Sequence, residues 1–166
     1  MDDFREVWCI MTILKAVSEY ERERGKPPPD QSHAIAETLL AMALQRKYGQ
    51  SFTVLVEVTL DEQPPSTPDI AVFPKLQIDW LHDVERMPQP PLLAIEIATA
   101  GHTQEALIER IAKHFDFGVR SCWLVQPPLQ QIAVFTPEMQ PEVFIRGPVQ
   151  DPASGFSVNI EDIFKG

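Results

Sequence analysis

Three observations predict an α/β fold for this chain. A strand, helix, strand unit over residues 92 to 126 has the length of a parallel crossover. Two apolar stretches, Asp-Ile-Ala-Val-Phe from Asp69 and Leu-Leu-Ala-Ile-Glu-Ile-Ala around Glu96, read as strands, the second burying most of its side chains. Helical periodicity precedes the strands, and turn residues separate the elements. At 166 residues and 44% hydrophobic, the chain can bury one sizeable core and is short for two, so residues 1 to 166 are expected to form a single domain.

The elements follow in order. Phe4, Val7, Met11, Leu14 and Val17 recur at helical spacing, and Glu-Arg-Glu-Arg then leads to Gly25, which predicts an amphipathic helix over about 3 to 24. Pro27, Pro28 and Pro29 forbid its continuation. Asp30 or Ser32 can cap a second helix over about 32 to 48, with Ile35, Leu39, Met42 and Ala43 as its inward face and Gly49 as its stop. His33 and Glu37 lie one turn apart on it, as a surface pair or as members of a site. Residues 52 to 60 alternate with period two and predict a strand.

The turn-rich stretch from Asp61 to Pro68 leads into a strand over about 69 to 74, with Asp69, Ala71, Phe73 and Lys75 on one side. Residues 76 to 90 mix charge with proline and read as an excursion before the Glu96 strand. A helix over about 103 to 117 has Leu107, Ile108, Ile111, Ala112 and Phe115 inward and Gly118 as its stop. Strands at 121 to 126, 131 to 136 and 142 to 146 follow, then a short strand and a terminal helical turn.

Composition excludes some classes. The net charge of −10 and pI near 4.8 disfavour broad attraction to phosphate backbones, although a local basic patch or a divalent ion reverses the sign locally. Cys9 and Cys122 sit in apolar contexts and read as reduced core residues. No apolar run reaches the roughly 18 residues of a membrane span. The opening Met-Asp-Asp-Phe-Arg-Glu lacks a signal-peptide pattern, so no membrane partner and a cytoplasmic location are expected.

Asp69 and Glu96 are the candidate functional residues. An ionised carboxylate left unpaired in a buried strand costs several kcal/mol. Each acid therefore pairs with an Arg or Lys at a sheet end, or the two share a metal ion. With no cation beside them, two such carboxylates would repel.

Pro68-Asp69, Glu96 after an apolar run, then a helix and Gly118, Val119, Trp123, Leu124 and Val125 in Gly-Val-x-x-x-Trp-Leu-Val resemble the Uma-type restriction endonuclease family, a bacterial branch of the PD-(D/E)xK superfamily. The resemblance runs from about His33 to the closing Ile-Glu-Asp-Ile-Phe, a nuclease-like core over about 30 to 166. It implies a restriction-endonuclease-like fold, with a central mixed β-sheet flanked by helices. It also implies an endonuclease that hydrolyses DNA phosphodiester bonds, with Asp69, Glu96 and the backbone carbonyl of Ile97 holding Mg²⁺ or Mn²⁺.

The family's lysine is displaced here. Two residues after Glu96 stands Ala98, and fourteen residues after it, where the Uma-type lysine falls, stands Arg110. Lys113 lies one turn beyond, with Glu109 at ion-pair spacing, and Glu37 offers a further ligand or base. Gln126 replaces a common acid. These departures leave a second reading open: a catalytically inactive nuclease-like module that binds a nucleic acid or protein partner. A third reading, an oligomerisation domain forming a homodimer, rests on the apolar face of residues 3 to 24.

Overall fold

The computed structural model describes residues 17–165. The helices are Glu19–Arg24 (α1), Gln31–Tyr48 (α2), Gln104–Phe117 (α3) and Ile160–Ile163 (α4). The strands are Phe52–Val56 (β1), Ile70–Pro74 (β2), Leu93–Ile97 (β3), Ser121–Gln126 (β4), Gln131–Phe135 (β5) and Glu142–Phe144 (β6). They form one six-stranded mixed sheet in sequence order, antiparallel everywhere except between β3 and β4, which α3 connects as a parallel crossover. No helix among the described residues is long and apolar enough to cross a membrane.

The two faces of the sheet bury different things. Ile70, Val72, Leu93, Ile95, Ile97, Trp123 and Val125 pack with Ala36, Leu40 and Leu44 of α2 and with the α4 region. On the other face Ala94, Cys122, Leu124 and Ala133 pack with Leu107 and Ile111 of α3. Alternation along β3 puts Glu96 with Ala94, on the α3 side. That single residue shift decides which helix can reach the carboxylate.

Several local expectations need correction. Of the helix expected over 3 to 24, Glu19–Arg24 is the helical part among the described residues, because Val17 and Ser18 are not helical and the Ser18 side chain caps α1 at Glu21 N. Residues 3 to 16 of that helix, with Cys9, lie outside the described residues. Gly25 ends α1 in left-handed backbone, φ 65°. The inward face of α2 is His33, Ala36, Leu40 and Leu44, while Ile35 and Met42 are half exposed. Apolar residues stand on adjacent rows of this helix, so periodicity alone chose the neighbouring row. β1 stops at Val56 because Glu57 adopts a left-handed φ of 53°, which turns the chain out of the sheet. Leu60 then makes only isolated bridges.

The caps behave as their chemistry dictates. The Asp30 carboxylate accepts from His33 N at the start of α2, and Thr103 Oγ1 accepts from Ala106 N at the start of α3. Gly118 closes α3 at φ 108°, where its amide bonds back to His114 and Phe115. The last turn of α3, with His114, is thereby fixed over the end of β3.

Candidate active site

Asp69 immediately precedes β2, and its amide donates to the carbonyl of Ile95 at 3.1 Å. The antiparallel register ends at Ile70 opposite Ile95, and carried one residue further it would bring Asp69 to Glu96. Opposed residues of an antiparallel pair share a face. Both acids are fully buried.

Each acid is surrounded by cations. Lys26 Nζ lies 2.5 Å from Asp69 Oδ1 and 2.9 Å from Glu57 Oε1, with its own side chain 1% exposed. The second oxygen, Asp69 Oδ2, accepts from Ile97 N at 2.6 Å. His33 Nε2 stands 3.3 Å from Asp69 Oδ1 and 3.8 Å from Glu37 Oε2. Arg24 holds the other oxygen of Glu57 at 2.6 Å.

Glu96 is held from α3. His114 Nε2 is 2.7 Å and Arg110 NH2 3.1 Å from Glu96 Oε1, and the same guanidinium nitrogen donates to the carbonyl of Thr67 at 3.0 Å. His114 Nδ1 contacts Glu62 Oε2 at 3.1 Å. Glu62 also accepts from Ser66, and Lys113 approaches it at 3.7 Å. Arg110, His114 and Lys113 thus descend one side of α3 onto Glu96 and Glu62.

The electrostatics follow from burial weighed against these partners. Burial alone would raise Glu96, but Arg110 and His114 outweigh it and hold the carboxyl at about 2. Burial alone would lower His114, but its two carboxylates push it up to about 9, so at neutral pH both ring nitrogens carry protons and donate. Burial also opposes the charge on Lys26, yet Asp69 and Glu96 keep its ammonium above the ordinary lysine range. Glu37 is raised by burial, reinforced by the charges of Asp69 and Glu57. With these cations in place, attraction replaces the like-charge repulsion expected from the two acids alone.

Some polar atoms remain unpaired. Glu96 Oε2, Glu37 Oε1 and both ring nitrogens of His33 are buried with no hydrogen-bond partner among the described residues. His33, Glu37 and Glu57 also bring one ligand atom each within 4.8 Å of one another. Oxygen-rich donors with unpaired buried atoms suit a hard divalent cation. Beside them Arg22, Arg24, Lys26, Arg110 and Lys113 line a cleft of about 620 Å³. Glu21, Glu23 and Glu109 share the lining, which leaves a net positive cleft on an acidic chain.

The Uma2 family, described as "Putative restriction endonuclease", matches residues 15–161. The chain belongs to this family. The crystal structure of "a putative nuclease belonging to DUF820" from Anabaena variabilis ATCC 29413 has a similar fold, with a TM-score of 0.71 at 23% identity over 84% of this chain and 83% of that one. No curated protein matches the chain. The α/β restriction-endonuclease-like fold therefore holds for this Uma2 chain.

Of the residues singled out in the sequence, Asp69, Glu96, Arg110, His33 and Glu37 come together, and Ile97 joins through its amide. Lys113 pairs with Glu62 and not with Glu109. Sequence reasoning missed Lys26, Glu57, Glu62 and His114. His114 carried a signal, standing three residues after Ile111 and seven after Leu107 on the buried stripe of α3. Lys26 carried none, being a single lysine between a helix stop and three prolines.

Proposed function

We propose that this Uma2 protein is a divalent-metal-dependent endonuclease that hydrolyses DNA phosphodiester bonds. The observation that carries this reading is Glu96 Oε2, a buried carboxylate oxygen with no partner, on an acid that the continued register brings to Asp69, beside a cleft lined by five basic side chains. Asp69 and Glu96, with the Ile97 carbonyl and Glu37, would hold Mg²⁺ or Mn²⁺. When bound, such an ion would supply Lewis-acid charge to the phosphate and lower the pKa of a bound water.

The chain's own residues orient the acids and the phosphate. The Ile97 amide fixes Asp69, and His114 with Arg110 fixes Glu96. Arg110, always charged, adds a positive fork near the phosphate. The test is cleavage of double- and single-stranded DNA by wild-type protein in Mn²⁺ against the same reaction in EDTA. Arg110→Ala is expected to lower the rate at least about tenfold, and Lys113→Ala, one quarter exposed on Glu62, less than about threefold. DNA that stays intact in Mn²⁺ sinks the reading.

One observation favours the second reading, a non-catalytic module that binds DNA through the same cleft. Lys26, Arg110 and His114 already neutralise the two acids from within the chain. DNA binding that persists without cleavage, and without response to Mn²⁺, would establish it.

A further inference from the structure

Lys26 is the one buried lysine among the described residues. Its position is firmly set from both sides. Gly25 takes the left-handed turn that ends α1, and Pro27 begins the rigid run that leads to the Asp30 cap of α2. A Cβ at Gly101 would stand 2.8 Å from Pro27 Cβ, so the turn after β3 closes tightly over this segment. The end of α1 and the end of β3 are thus locked together, and the ammonium is delivered to Asp69 with little freedom.

An ammonium has three N–H donors. Asp69 Oδ1 and Glu57 Oε1 take two of them, and these are its acceptors among the described residues. One donor is left, in a residue that lines the basic cleft. Arg110 NH2 is shared between Thr67 and Glu96 while its Nε has no partner, and Lys113 stands 3.7 Å from Glu62, so Lys26 differs from both in being anchored by two carboxylates at hydrogen-bond distance.

We propose that Lys26 is the catalytic ammonium of this site, its remaining N–H donating to a non-bridging oxygen of the substrate phosphate in the cleft. The inference rests on the nuclease reading above. It explains why a chain with alanine at 98 and arginine at 110 keeps a lysine beside Asp69: the cation arrives from the segment before α2 instead of from the strand or from α3. Two carboxylates anchor it, so little side-chain entropy remains to be lost when the phosphate arrives. Because the ammonium shares Asp69 Oδ1, its removal leaves that oxygen free for a metal ion.

The experiment pairs cleavage with metal binding, using full-length wild type, Lys26→Met and Lys26→Gln in Mn²⁺. Glutamine has two N–H donors, enough for Asp69 and Glu57 and none for a phosphate. Both variants are expected to lose at least about 100-fold in single-turnover rate while DNA affinity changes less than about threefold. Their rise in melting temperature on adding Mn²⁺ should equal or exceed that of wild type. A variant that is folded in Mn²⁺ and cleaves within about threefold of wild type overturns the proposal. So does loss of the Mn²⁺-induced shift, which would make Lys26 a support of the metal site. Wild type that cleaves no DNA overturns the nuclease reading and this proposal with it, an outcome distinct from active wild type with active variants.

Discussion

Glu96→Gln is expected to reduce Mn²⁺-supported DNA cleavage by roughly 10²–10³-fold or more. The amide keeps an oxygen to accept from His114 and Arg110, as Glu96 Oε1 does at 2.7 and 3.1 Å. Its NH₂ group then replaces Oε2, the oxygen with no partner. The substitution therefore spares the contacts that fix the side chain and converts the atom best suited to a cation into a donor. The rise in melting temperature with Mn²⁺ should vanish together with cleavage, whereas DNA binding through the basic cleft should persist. Metal-free stability should also fall, because Arg110 and His114 lose the charge they surround. Cleavage within about tenfold of wild type would mean that Glu96 has only a structural role, and the cluster of His33, Glu37 and Glu57 would then be the place to look for the ion.

The sequence disclosed the fold through features that act locally. Thr103, Asp30, Gly25 and Gly118 cap helices through contacts within a few residues, and β4 has the bounds that its apolar run implies. It disclosed the two acids because a charge inside an apolar run is visible in one dimension. What it hid is contact at long range. Lys26 reaches Asp69 across 43 positions and Glu57 across 31, and nothing in Arg-Gly-Lys-Pro marks that lysine as buried. Glu62 was hidden for the same reason, since its partner His114 is 52 positions away. The inward face of α2 was hidden differently: with apolar residues on neighbouring rows, tertiary packing and not periodicity selects the buried one.

His114→Ala is expected to be the most destabilising single change in the site. The imidazolium is fully buried between Glu62 and Glu96, and its loss takes the shared cation from two buried carboxylates, leaving Glu96 to Arg110 and Glu62 to Ser66 and Lys113. Breaking a buried pair in this way costs about 3–5 kcal/mol. In a chain of this size that lowers the melting temperature by about 10 °C. The pH dependence supplies the sign. His114 moves from an ordinary 6.5 to about 9, so its contribution is fully present below pH 6.5 and is lost as pH rises through about 9. Glu96 moves from 4.5 to about 2, so its contribution is present above pH 4.5 and is lost as pH falls towards about 2. Both windows report one contact from its two ends, so the energies are not additive. Wild type should therefore lose stability to urea between pH 6.5 and 9.5, and His114→Ala, already lower at pH 6, should show a flatter profile over that range. If the two proteins lose stability in parallel across it, the imidazole of His114 is neutral in the folded chain, and Glu96 depends on Arg110 for its charge balance.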